Sequence, residues 1–372
     1  MTDIKDRRLN PYDPFDNPTE NCAYRTDYRE IVPDADKPGY SLPMIPERAE
    51  VKRIRRFFNI TGLSLFLGAV GLNIVFIIIT MIIELCMTGS FDPDALFAAE
   101  DYIYYGSSIL IAMNGLLFLV ANILSAVVGS HCSGIRVRSY FRPFEAKKFQ
   151  LVKYIFIGVF VQALTGIIYT IVSSFMNYVG VNDFTADIDT YVNAKSVIAT
   201  GLYSCIVAPV TEELLYRGFV LKNLSRVSQH FGIIASAALF GLAHENLAQF
   251  LLAMPLGIFM ARITIRHNSI IPSILVHVGV NTLAFGLNWI YTALPADGLW
   301  SILIFFVDVL YYLIAGGGLV FWIMEVKKSR LPANTIGQSY RGIRVLLTSP
   351  WLLAIAVFHF AMAIINIAAS NM

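Results

Sequence analysis

The stretch Leu151–Tyr178, LVKYIFIGVFVQALTGIIYTIVSSFMNY, carries Lys153 as its only fully charged side chain. A helix of about 20 predominantly apolar residues crosses the hydrocarbon core of a bilayer, so this run reads as a transmembrane helix. Working outward, comparable runs lie at roughly 58–88, 104–129, 196–221, 231–246, 247–265, 269–293, 299–324 and 347–369. The runs at 231–246 and 247–265 are short and meet at HENLAQ, a pattern that suits a tight helical hairpin. The expected fold is all-α: a polytopic transmembrane helical bundle of about nine spans, within a range of about seven to nine.

Composition agrees. The 372 residues are 56% hydrophobic and 15% charged, with a mean hydropathy of +0.62, whereas soluble chains sit near about 45–50% apolar and about 25% charged. This excludes a disordered chain, a collagen-like fibre and a disulfide-stapled secreted module. A net charge of +2 gives no bulk attraction to nucleic acid. Cys22, Cys86, Cys132 and Cys205 are scattered without CxxC spacing, so they suggest neither a zinc knuckle nor a disulfide framework.

Residues 1–56 are rich in Pro, Asp, Asn and charge and read as a cytosolic, mostly extended tail without an apolar signal stretch. Residues 57–149 hold two amino-terminal spans joined to a basic cytosolic loop, 150–295 a middle block, and 296–372 two carboxy-terminal spans. Loop charges set the orientation. Lys52, Arg53, Arg55 and Arg56 precede the first run, and Arg136, Arg138, Arg142, Lys147 and Lys148 follow the second. Asp92, Asp94, Glu100 and Asp101 occupy the loop between those runs, and the loop after the third run is acidic again. Lys222 and Arg226, Arg262 and Arg266, then Lys327, Lys328 and Arg330 fall on the first side if 231–265 crosses an even number of times. The amino terminus is then cytosolic and the carboxyl terminus outside.

Ionisable side chains are costly in hydrocarbon, at about 2.5–3.5 kcal/mol near the centre of a helix on insertion scales. Three clusters stand out against that cost. IVAPVTEELLYRGFVLKN holds Glu212, Glu213 and Arg217; ALFGLAHEN holds His244 and Glu245; SILVHVGVNTLAF holds His277 and Asn281. Glu213 and Arg217 are four apart in the favourable Glu-before-Arg order and can neutralise each other. Glu212 points about 100° away and needs another helix or water. Pro209 lies three residues before it and removes a backbone hydrogen bond beside the carboxylate. At 1.5 Å per residue from the cytosolic ends, Glu212, His244, His277 and Asn281 lie roughly 15, 20, 12 and 18 Å deep, one layer of the membrane.

A carboxylate and two imidazoles in a low-dielectric pocket suit hydrolysis. A water between Glu212 and His244 can be activated, while His277 and the Asn281 amide donate to the oxyanion of an attacked peptide carbonyl. Other polar groups read as structural: His230 and His359 as hydrogen-bonded histidines, Asp308 as a partnered interhelical acid, and the glycines at 316–318 as packing positions. Glu245 after His244 begins a zinc-protease motif, but HExxH needs His at 248, where Ala stands.

Three motifs occur in order: EExxxR as Glu212, Glu213 and Arg217, FxxxH as Phe240 and His244, and HxxxN as His277 and Asn281. Over roughly residues 150–295 the chain resembles the CAAX protease and bacteriocin-processing (CPBP) family of intramembrane endopeptidases. The resemblance implies a protease core at 150–295. It makes Glu212 the general base and His244 a holder of the water. It assigns His277 and Asn281 to the oxyanion site, and gives Glu213 and Arg217 supporting roles. It leaves two cofactor readings: none, or a divalent metal such as zinc on Glu212, His244 and His277. The reading favoured is metal-free.

The expected activity is hydrolysis of a peptide bond in a membrane-embedded or lipid-linked peptide, in a multi-pass protein of a bacterial cell membrane, with no nucleic-acid partner. In that setting the expected role is processing of small membrane peptides or immunity against bacteriocins. The alternatives are a non-catalytic peptide-binding immunity protein and a proton-coupled transporter using Glu212 and Asp308.

Overall fold

The computed structural model describes residues 46–88, 108–143, 148–181, 197–295, 297–328, 336–369 and 371. Most of the expected tail and both acidic loops lie outside these residues. The described chain is helical, without a strand: α1 (Pro46–Thr88), α2 (Ser108–Cys132), α3 (Lys148–Tyr178), α4 (Val197–Leu224), α5 (Gln229–Leu242), α6 (Leu247–His267), α7 (Ile271–Ala293), α8 (Gly298–Lys328), α9 (Ile336–Leu347) and α10 (Pro350–Ala369). Among the described residues seven helices are long and apolar enough to cross a membrane: α2, α3, α4, α6, α7, α8 and α10. The chain is a polytopic helical membrane protein.

Two boundaries differ from the sequence reading. Residues 46–56, expected in the tail, form the first turns of α1. Ile54 and Phe58, four apart, are fully buried there, and Phe58 stacks on Phe231 of α5 at 5.8 Å. Charge dominates the composition of this segment, but one apolar stripe is enough to dock it. The run at 231–246 does not make a full span. Helix α5 has 14 residues, about 21 Å, against a hydrocarbon thickness of about 30 Å. Ser228 caps its start by accepting from the Phe231 amide at 3.1 Å. The chain then turns through His244, Glu245 and Asn246 into α6, whose first turn Asn246 caps by accepting from the Gln249 amide at 3.1 Å. The hairpin expected at HENLAQ is present.

Helix α3 packs against α6, α7 and α8, and α1 packs against α2 and α10. Two contacts bring backbones together. A Cβ on Gly318 of α8 would stand 2.0 Å from the Phe156 carbonyl oxygen of α3, and one on Gly62 of α1 2.2 Å from the Leu352 nitrogen of α10. Only glycine permits these crossings, the small-residue packing that holds helices together where lipid supplies no hydrophobic drive. The arrangement places α4 with α2, α5, α6 and α7 around it.

Candidate active site

Helix α4 is irregular where its acidic pair lies. Tyr203–Val207 and Glu213–Val220 wind as π-helix, separated by the α-helical turn Ala208–Glu212 that carries Pro209. Such widened turns relieve the missing proline amide and shift the angular register of the residues beyond them, and they recur at functional sites. Thr211, just before Glu212, donates back to the Val207 carbonyl at 3.0 Å and accepts from Asn122 of α2 at 3.2 Å.

The two glutamates have different surroundings. Glu213 is fully buried; its Oε1 lies 2.8 Å from Arg217 Nη1 and 3.0 Å from His277 Nδ1. Glu212 keeps 20% of its side chain exposed and stands with Oε2 3.8 Å from Nε2 of the same imidazole. One ring on α7 therefore faces both carboxylates, one through each nitrogen. Because a carboxylate accepts, Nδ1 carries a proton toward Glu213, and Nε2 is the atom left for chemistry beside Glu212.

Phe240 of α5 is the common wall. Its ring meets His244 edge-on at 5.1 Å and His277 at 5.9 Å, while the Arg217 guanidinium lies 4.3 Å from its centroid. Gly257 of α6 makes room for this stack: a Cβ there would come 3.2 Å from Arg217 Nη2 and 3.3 Å from the Phe240 ring. His244 sits on the α5–α6 turn, where Glu212 and His277 act on it electrostatically. No hydrogen bond to its ring forms among the described residues. Asn281, one turn beyond His277, donates through Nδ2 to the Ser204 carbonyl in the first π turn at 3.0 Å.

Direct contacts thus link Glu212, Glu213, Arg217 and His277. His244 joins them through Phe240, and Asn281 is anchored separately to α4. Three features escaped the sequence reading: Phe240 as the shared wall, Glu213 as the anchor of His277, and Ser204 as the acceptor that orients Asn281. The motif spacing could have pointed to Phe240; the other two depend on the π turns. Among the described residues no group of three His, Cys, Asp or Glu side chains is placed to hold a metal ion, and His277 Nδ1 faces Glu213 Oε1.

Carboxylates and imidazoles gathered at membrane depth mark a candidate functional site. The sequence model of the Rce1-like family, type II CAAX prenyl endopeptidase Rce1-like, matches residues 194–283. Over this segment the chain is similar to that family of membrane proteases. No curated protein and no solved structure matched the chain. The matched segment contains Glu212, Glu213, Arg217, His244, His277 and Asn281; α1 to α3 and α8 to α10 lie outside it.

Proposed function

We propose that Glu212 is the general base of a metal-free intramembrane endopeptidase that cleaves a membrane-embedded or lipid-linked peptide. The observation that carries this reading is the unequal state of two neighbouring glutamates. Glu213 is fully buried against Arg217 and His277, whereas Glu212 is partly exposed and lacks a cation at hydrogen-bonding distance. A base must reach water, and a carboxylate locked in an ion pair does not.

Glu212 takes a proton from a water that His244 helps to hold, and the hydroxide oxygen adds to the carbonyl carbon of the scissile peptide. The oxyanion receives hydrogen bonds from His277 Nε2, in its doubly protonated form, and from the Asn281 amide proton not used on Ser204. Glu213 faces the positive ring at Nδ1, and Arg217 neutralises Glu213 in turn. As the carbon–nitrogen bond breaks, Glu212 returns its proton to the leaving amine. The cavity opens toward the cytosolic half of the bilayer, with the amino terminus in the cytosol and the carboxyl terminus outside. The family description names prenylated CAAX substrates; the bacterial setting read from the sequence favours small membrane peptides, including bacteriocins.

The test incubates wild type, Glu212→Gln and His244→Ala in detergent with the membrane-peptide fraction of the source cell and with a farnesylated CAAX peptide. Mass spectrometry then looks for new termini. Cleavage by wild type alone, unchanged by chelator, is the expected result. Full biological activity of Glu212→Gln in cells would instead favour sequestration of a peptide without cleavage.

A further inference from the structure

Helix α10 reads PWLLAIAVFHFAMAIINIAA, and His359 and Asn366 interrupt an otherwise apolar sequence. Polar side chains at membrane depth are costly and are kept where they have partners. Here both go to the same residue of another element. His359 Nδ1 lies 2.7 Å from Glu245 Oε1, and Asn366 Nδ2 donates to the Glu245 carbonyl at 3.0 Å. The two are seven apart, two helical turns, and so share the face of α10 that meets the α5–α6 turn.

Glu245 is also one of two described non-glycine residues with left-handed backbone, at φ 53°. A side chain there is strained and persists only where its surroundings fix it. The residue before it is His244, whose ring is held by van der Waals contact with Phe240 and not by a hydrogen bond among the described residues. The place of His244 is therefore set by the backbone of its turn, and that backbone is fixed by Asn246 capping α6 on one side and by α10 gripping Glu245 in the middle.

We infer that Glu245, His359 and Asn366 are positioning residues for the proposed protease reaction: α10, outside the Rce1-like segment, clamps the Glu245 turn and so holds His244 against the water site. This rests on the proposed role of His244, but the clamp itself can be measured without turnover.

The experiment uses the full chain in detergent with four proteins: wild type, Asn366→Leu, His359→Leu and His359→Asn. The last keeps a nitrogen donor in the place of Nδ1. Hydrogen exchange read by mass spectrometry over residues 240–250 reports the turn, thermal unfolding reports the bundle, and cleavage of the farnesylated CAAX peptide reports the reaction. Expected are faster exchange confined to 240–250 in both leucine variants, unchanged α1 and α3 exchange, and return to wild-type exchange in His359→Asn. Misplacement of a reacting group by about 1 Å costs up to about 10²-fold in rate, so kcat falls on that order while KM stays within about two-fold.

Unchanged exchange at 240–250 in both leucine variants overturns the clamp whether or not the peptide is cleaved. Faster exchange with unaltered kcat makes it an anchor for α10 alone and overturns the positioning role. If wild type leaves the peptide intact, it is the proposed reaction that is contradicted for this substrate, and the exchange result still decides the clamp.

Discussion

Helix α4 carries two buried polar clusters, and they are built on opposite plans. At its carboxy-terminal end, Asn223 donates to Thr61 Oγ1 of α1 at 3.0 Å and to Ser133 Oγ after α2 at 2.9 Å. Its own carbonyl oxygen accepts from Arg226 Nε at 3.3 Å, and Arg226 Nη2 reaches the Ser133 carbonyl at 3.1 Å. Both amide protons and the acceptor of Asn223 are used, and the residue is fully buried. Earlier along the helix, Glu212 stands partly exposed and Arg217 Nη2 has no hydrogen-bond partner among the described residues. A saturated network fixes helices in place; one with capacity left over can bind and react.

Substitution tests that contrast in order of effect. Glu212→Gln is expected to lower the cleavage rate by about 10²–10⁴-fold, the range for loss of a general base, with an unfolding temperature in detergent equal to wild type. A large stability loss instead would move Glu212 to the structural side of the comparison.

Glu213→Gln should behave differently, because it removes one partner of a fully buried ion pair. That costs about 3–5 kcal/mol of stability, and activity also falls as His277 loses the carboxylate at Nδ1. Adding Arg217→Met in the same chain should recover much of the stability by removing the stranded cation, but not the cleavage rate. Recovery of both would show that Glu213 serves only Arg217.

Asn223→Ala reverses the pattern. The groups it leaves unpaired cost about 1–3 kcal/mol each, visible as a lower unfolding temperature, while cleavage per folded molecule is unchanged.

How far this contrast could be read from the sequence depends on which geometry carries it. The apolar runs and the ordered motifs were legible because the bilayer makes every charged residue inside a span conspicuous. The Glu213–Arg217 pair came from four-residue spacing, and α4 keeps that pair even in its π segment. The shared grip of Glu212 and Glu213 on one imidazole was not legible: on a regular α-helix they diverge by about 100°. The same holds for Asn281, whose acceptor is a carbonyl in the first π turn. HENLAQ was readable as a turn, but its bond to α10 joins residues more than a hundred positions apart, and pattern alone does not pair them. The start of α1 was hidden by charge, since Ile54 and Phe58 are few among Lys and Arg.

The smallest effect belongs to Asp308, and its smallness decides between readings. In a proton-coupled transporter this acid would work with Glu212, so neutralising it would abolish function. The structure gives it a partner: Tyr291 of α7 donates its hydroxyl to Asp308 Oδ1 on α8, an interhelical bond outside both clusters of α4. Asn at this position still offers a carbonyl oxygen to the tyrosine. Asp308→Asn is therefore expected to change stability by no more than about 0.5 kcal/mol, as for substitutions away from buried networks, and to leave cleavage at the wild-type rate. Assaying it beside Glu212→Gln makes the comparison sharp. Loss in one and not the other assigns the chemistry to the acidic pair of α4 alone, whereas equal loss of cleavage would bring Asp308 into the proton path of the reaction.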